Sequence, residues 1–344
     1  MSPGRCPVKP GMTVQESLRA IFRIVSFTLV AAILLLAVGC RNNQGNTKAN
    51  PANNKYELPD VPAMITSQDE AMDYIATHYW DKFFSEERPG VQDTSLVRGF
   101  SLPALYEIFS QFAVILRAAD PAKGTAACRT ALDKAEKAQM ACPEGTLWSK
   151  FTNMYYNVLE EPNSPVRNEE FCIPLLEKQL SSPLSTDVER EQAGRKLPRF
   201  CLNRLGSKAA DFAFTLRNGR VTTLYAIDAE YTVIFFSNPG CPNCREVMEE
   251  LQALPGVDNL IADKRLAVAN VYPDEDLSEW IKYSEIYPKN WLNGYDHLMA
   301  VQNTPLYNIR AIPSVYLLDR EKRVILKDVP TDYLMQYLQM LFGL

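Results

Sequence analysis

Cys241-Pro242-Asn243-Cys244 is the segment of this chain whose residue types and spacing most plainly do chemistry. Two sulfurs three positions apart on one helical turn can close a short, reversible disulfide. Residues 245–254 follow at helical period, which places Cys241 at a helix N-terminus. Unpaired backbone N–H groups and the helix dipole stabilise a thiolate there. Pro242 suits the first helical position, because it has no N–H to leave unsatisfied and its backbone is pre-set. The same sulfurs would serve zinc only with two more ligands at suitable spacing, and the chain has just two histidines, His78 and His297. A c-type haem needs histidine directly after the second cysteine, where Arg245 stands. No metal and no cofactor is expected. The pair reads as a redox dithiol or, alternatively, as a static structural disulfide.

The flanking elements must hold that pair in place. Tyr231-Thr-Val-Ile-Phe-Phe236 is a continuous β-branched and aromatic run, the pattern of a strand buried on both faces. It leads through Ser237-Asn-Pro-Gly240 into the cysteines. Upstream, 211–216 and 220–225 flank Asn218-Gly219, a strong hairpin signal. Downstream, Leu266–Tyr272 reads as a strand and Leu277–Tyr287 as a helix. Tyr307–Asp319 reads as a loop entering a strand, Lys322–Asp328 as its hairpin partner, and Asp332–Phe342 as a closing helix.

Strand, turn, C-x-x-C and helix, followed by Ile312-Pro313 just before a strand, resemble the thioredoxin superfamily. The stretch 205–344, which opens with GSKAADFAFTLRNG after Leu205, is similar to the TlpA/ResA branch of envelope thiol–disulfide oxidoreductases. That branch carries an extra hairpin ahead of the core. The resemblance implies dithiol–disulfide exchange, in the reductase direction, with a disulfide-containing protein as substrate and an upstream thiol donor. It implies that Cys241 is the nucleophile and Cys244 the buried resolving thiol. A cis Pro313 would pack against the pair, and the Ile312 backbone would hold the substrate segment. Three positions depart from the family: Gly240 where Trp is usual, Pro-Asn between the cysteines, and Phe235 where thioredoxin buries an aspartate. The rival reading is a non-catalytic protein that uses the fold as a scaffold for a partner.

Composition limits the other classes. Of 344 residues 47% are hydrophobic and 22% charged, ordinary globular values that argue against disorder. The formal charge is −5, with no basic block, so nucleic acid is not expected as a partner. No HExxH helix, GxSxG elbow or phosphate-cradling glycine loop occurs, which removes most hydrolase and NTPase readings.

The N-terminus reads as an address. Arg5, Lys9, Arg19 and Arg23 precede an apolar run, Ile24–Val38, that ends in Ala37-Val38-Gly39-Cys40. This pattern is a secretory signal and resembles that of lipoproteins, in which Cys40 would carry lipid and become the first mature residue. An uncleaved signal anchor is the alternative. Residues 1–39 would leave as signal, and 40–60, rich in Asn, would be a flexible tether. The protein would then be anchored to a membrane and face the periplasm or the cell exterior, with a mature charge of −8.

Residues 61–204 carry helical period. Ser67 and Glu70 have the spacing of a capping box. Ser101 and Pro103 open a second helix, 126–141 is a third, and 145–160, 168–180 and 187–200 follow, with Pro174 and Gly194 as interruptions. No strand pattern stands out before residue 205. The expected fold class is an all-α N-terminal domain followed by a thioredoxin-like α/β domain. The segment EEPNSPVRNEEFCIPLLEKQL (160–180) resembles a helical domain of unassigned function found ahead of thioredoxin-like domains in some bacterial lipoproteins. Cys128 and Cys142 bracket a helix about 21 Å long, too far apart to bridge. With Cys172 and Cys201 they are read as inert core thiols, and a Cys172–Cys201 bridge is the alternative.

Overall fold

The structure, a computed structural model, describes residues 56–85, 96–304 and 306–344. The signal segment, Cys40 and the tether up to residue 55 lie outside the described residues. The last residues of that tether already join the fold: Tyr56 hydrogen-bonds the Tyr79 carbonyl and packs against the Trp80 and Phe100 rings.

The N-terminal part is helical: α1 (Gln68–His78), α2 (Leu102–Ala118), α3 (Pro121–Ala141), α4 (Leu147–Tyr155), α5 (Ile173–Ser181) and α6 (Asp187–Phe200). Ser101 caps α2 by accepting from Ala104 N–H, and Asp120 caps α3 from Ala122 and Lys123. The expected box at Ser67 does not form, since its hydroxyl makes no cap bond. The reciprocal pair is Thr186 with Glu189, at the start of α6. Spacing brings such side chains within reach but leaves their rotamers free. Pro174 opens α5 rather than interrupting it, because the first helical turn needs no N–H there. Gly194 sits inside an unbroken α6. A two-residue hairpin, β1 (Leu96–Val97) with β2 (Phe100–Ser101), is too short to show a strand pattern in the sequence. The core centres on Trp80, which packs against Phe83, Phe109, Phe112 and Phe151.

The C-terminal part is a seven-stranded mixed sheet. Its strands are β3 (Ala213–Leu216), β4 (Val221–Thr223), β5 (Tyr231–Phe236), β6 (Leu266–Tyr272), β7 (Leu292–Tyr295), β8 (Ser314–Leu318) and β9 (Val324–Lys327), in the order β4-β3-β7-β6-β5-β8-β9. The β5–β6 and β6–β7 pairs are parallel and the rest antiparallel. Helices α7 (Pro242–Ala253), α8 (Leu277–Tyr283) and α9 (Thr331–Phe342) accompany it. β5 is apolar from Val233 to Phe236 because both its faces are covered, and the buried Thr232 hydroxyl accepts from Lys322 Nζ at 3.0 Å. Val233 and Phe235 pack with Leu251 of α7 and Leu334 of α9, while Ile234 and Phe236 pack with Phe212, Tyr307 and Tyr316. Strand β7, of sequence Leu-Asn-Gly-Tyr, carries none of the β-branched signal of its neighbours. The expected order, a helical part followed by an α/β domain, is the one the structure has, with the β1–β2 hairpin added to the helices.

The two parts share a polar boundary. Arg167 donates to the carbonyls of Asp328 and Val329 at 3.0 and 2.9 Å. Lys327 donates to those of Phe200 and Leu202, both at 2.7 Å. The Arg117 guanidinium lies 4.9 Å from the Tyr333 ring centre.

Candidate functional site

The site begins where β5 ends. The turn Asn238–Gly240 is tied by Gly240 N–H donating to the Asn238 side chain at 2.8 Å and Cys241 N–H donating to the Asn238 carbonyl at 3.0 Å. Cys241 is the N-cap of α7, with Pro242 as the first helical residue. Its Sγ accepts the Cys244 backbone N–H at 3.4 Å, so one donor the helix leaves unpaired is spent on the sulfur. Cys241 is half-buried, whereas Cys244 is 1% exposed and belongs to the core beneath α7. Burial pushes the Cys244 thiol well above its ordinary value; the Asn238 backbone N–H opposes the shift and Cys241 adds to it. Both are free thiols.

The segment before β8 closes over this end of α7. The Ile312–Pro313 peptide is cis, and both residues are partly exposed. Cys241 Sγ lies 3.9 Å from the Ile312 carbonyl oxygen. Four residues named from the sequence, Cys241, Cys244, Ile312 and Pro313, thus meet at one end of the sheet. The fifth, Cys40, lies outside the described residues.

A buried polar chain behind the cysteines was not anticipated. Ser237, the residue after β5, is fully buried and its hydroxyl bonds Asn270 Oδ1 at 2.5 Å and Tyr287 Oη at 2.8 Å. Asn270 donates onward to Asn293 Oδ1 at 3.0 Å, and Asn293 donates to the Pro288 carbonyl at 2.7 Å. Burial pushes the Tyr287 hydroxyl well up, with its Ser237 bond pulling the other way. An asparagine at the centre of Leu266-Ala-Val-Ala-Asn-Val-Tyr272 was the available signal, because a buried amide in an apolar strand needs partners. Phe235, six residues before Cys241, is 0% exposed and packs edge-on to Trp291.

Two shallow clefts flank the turn. One, of about 490 Å³, is walled by Asp274, Glu275, Asp276 and Glu279; the other, of about 390 Å³, by Arg245, Glu246 and Glu249. Carboxylates therefore outnumber cations on the walls of both clefts. Of the remaining cysteines, Cys128 and Cys172 are buried free thiols, but Cys142 and Cys201 are exposed. They are the C-caps of α3 and α6 and fall just past the packed helix faces, which corrects the reading of all four as core.

A family model described as a domain of unknown function, DUF5106, matches residues 38–199. None of the curated proteins matches. Among solved structures, a thioredoxin-like protein from Bacteroides caccae is 31% identical, with a TM-score of 0.68, over 84% of this chain and 99% of its own. The C-terminal domain of an uncharacterized protein from Bacteroides fragilis is 48% identical over 40% of this chain and 97% of its own, with a TM-score of 0.38. A domain of a possible thiol-disulfide isomerase from Cytophaga hutchinsonii is 25% identical over 42% and 99%, with a TM-score of 0.34.

Proposed function

The chain belongs to the thioredoxin-like proteins, and on that premise we propose that it is a thiol–disulfide oxidoreductase acting through Cys241 and Cys244. One observation carries the reading: a half-exposed sulfur caps a helix, a buried thiol stands one turn behind it, and the Ile312 carbonyl lies 3.9 Å away. In the reductase direction the Cys241 thiolate attacks one sulfur of a substrate disulfide. The substrate S–S bond breaks, one substrate thiol leaves, and a mixed disulfide forms. Cys244 then gives up its proton and attacks Cys241 Sγ, releasing the second thiol and closing the 241–244 disulfide. Two electrons pass from the protein to the substrate, and an upstream dithiol must restore them. The high proton affinity of buried Cys244 holds the resolving thiol in reserve until the mixed disulfide has formed.

The substrate class is a protein disulfide, with the segment at Ile312 and Pro313 receiving its backbone. The address at the N-terminus supports an envelope lipoprotein, anchored by lipid on Cys40 and facing the periplasm or exterior, with residues 40–60 as tether ahead of units 61–204 and 205–344. Phe235 in place of a buried acid is the feature that favours the rival scaffold reading, in which the pair is a structural disulfide.

A redox titration of the chain from residue 41 decides between them. Alkylation of Cys241 is followed across glutathione and dithiothreitol buffers, for wild type and Cys244→Ser. The proposal expects a reversible midpoint between about −120 and −270 mV, the span of known exchange proteins, and trapped mixed disulfides in the variant. A pair that stays oxidised throughout, or an unreactive reduced Cys241, leaves the scaffold.

A further inference from the structure

The Glu169 carboxylate ties the helical part to the segment that leads into the exchange site. Glu169 lies just before the short helix Glu170–Cys172 and is 1% exposed, with its side chain at 0%. Its Oε1 accepts from Asn308 Nδ2 at 2.6 Å and lies 2.7 Å from Arg310 Nε. Its Oε2 lies 2.9 Å from Lys327 Nζ. Arg310 has further partners: besides Glu169 it pairs with Asp328 at 2.7 Å, donates to the Glu160 carbonyl, and sits over the Phe200 ring. Burial raises the Glu169 carboxyl while Lys327 and Arg310 pull it back; burial likewise works against the Arg310 charge, but Asp328 and Glu169 outweigh it.

Asn308 and Arg310 belong to the segment that runs directly into Ile312-Pro313. Asn308 hydrogen-bonds Glu169, Arg310 is ion-paired with it, and two residues on the Ile312 carbonyl faces Cys241 Sγ. That segment lies outside any helix or strand, so no ladder of backbone bonds holds it. Side chains must hold it, and buried ion pairs screened from water hold more rigidly than exposed ones.

We propose that Glu169 is a positioning residue of the exchange site: through Asn308 and Arg310 it sets where the Ile312 backbone stands relative to Cys241, which makes the helical part a component of substrate recognition. The inference rests on the exchange reading above. It assigns the segment around 169 a task that a mere spacer or tether attachment would not have.

The test uses the chain from residue 41 with Glu169→Gln, which keeps shape and loses the charge facing two cations. Glu170→Gln is the control: it removes the neighbouring carboxylate, which pairs with Arg204 rather than with the loop. Two quantities are read: KM for a disulfide-linked peptide, and amide hydrogen exchange of residues 309–312. Loss of one charged hydrogen-bonding partner should raise KM about tenfold in Glu169→Gln, with kcat changing less, and speed exchange at 309–312 by a similar factor. Glu170→Gln should do neither. A folded Glu169→Gln with KM and loop exchange within about twofold of wild type, or equal shifts in both variants, overturns the inference. If Glu169→Gln does not fold, Asn308→Ala removes one loop contact and leaves the ion pairs; unchanged KM and loop exchange there overturn it equally. A wild type that reduces no disulfide sinks the exchange reading instead, and faster loop exchange in Glu169→Gln alone would still show the positioning.

Discussion

Cys241 Sγ lies 3.9 Å from the carbonyl oxygen of Ile312, a residue 71 positions further along the chain. The same sulfur accepts the Cys244 N–H as an N-cap. The two cysteines therefore answer substitution differently. Serine is a good N-cap residue, so Cys241→Ser should leave stability within about 0.5 kcal/mol of wild type and abolish exchange. Cys244→Ser puts a hydroxyl where the thiol is 1% exposed and should cost about 1–3 kcal/mol. Chemical denaturation of the reduced proteins checks both. Equal losses would mean that Cys241 is as much a core residue as Cys244.

The chain Tyr287–Ser237–Asn270–Asn293 predicts unequal costs along its length. Tyr287→Phe leaves Ser237 bonded to Asn270, so it should cost about 0.5–1.5 kcal/mol. Asn270→Leu strips partners from both Ser237 and Asn293 and should cost at least about 2 kcal/mol more. The measurement is the shift in denaturation midpoint at unchanged slope.

Gly294 sits opposite Leu216 in the β3–β7 pair. A Cβ at Gly294 would lie 2.6 Å from the Thr215 carbonyl oxygen and 2.8 Å from a Phe214 ring carbon, too close for either backbone to ignore. Gly294→Ala should destabilise by about 1–3 kcal/mol and loosen the β3–β4 hairpin first. Amide exchange at 213–223 would report it. A neutral substitution would mean that β3 shifts freely on β7.

Alkaline stability should fall through the buried thiols. Burial raises Cys128 from its ordinary value of 9.0 to about 12. Below pH 9 both folded and unfolded chains hold this proton, and its contribution is fully present. Between about pH 9 and 12 the unfolded chain releases the proton while the folded chain keeps it, so stability drops by about 1.4 kcal/mol per pH unit. Cys128→Ala should make the stability–pH curve shallower by that slope when both proteins are followed from pH 9 to 10.5. Parallel curves would contradict the assignment.

The acidic walls beside the Asn238–Gly240 turn favour cationic reagents. Cystamine should oxidise the dithiol faster than oxidised glutathione does, relative to the two rates on a free dithiol of similar potential. The advantage should shrink by at least about half as ionic strength rises from about 0.01 to 0.15 M, since the Debye length falls from about 30 to 8 Å. Stopped-flow tryptophan fluorescence would follow both reactions. A salt-independent ratio would show that the Asp274–Glu279 wall does not reach Cys241.

The sequence by itself determined the local parts of this protein. Strands β5 and β6 have the limits that their apolar runs announce, and the cysteine pair falls at the start of α7 because Pro242 and the helical period after it leave little choice. These features depend on neighbours within a few residues, and composition carries them. Tertiary structure alone decided the rest. Strand β7, with asparagine and glycine at its centre, is a strand only because β3 and β6 supply its hydrogen bonds. Tyr287 and Asn293 reach Ser237 and Asn270 only once β5, β6 and the chain after α8 are stacked. Glu169 stands next to Glu170 in an acidic, surface-like stretch, yet its carboxylate is enclosed because Asn308, Arg310 and Lys327 arrive from about 140 to 160 residues away. A carboxylate is buried only where cations and donors converge on it, and spacing along the chain does not record that convergence.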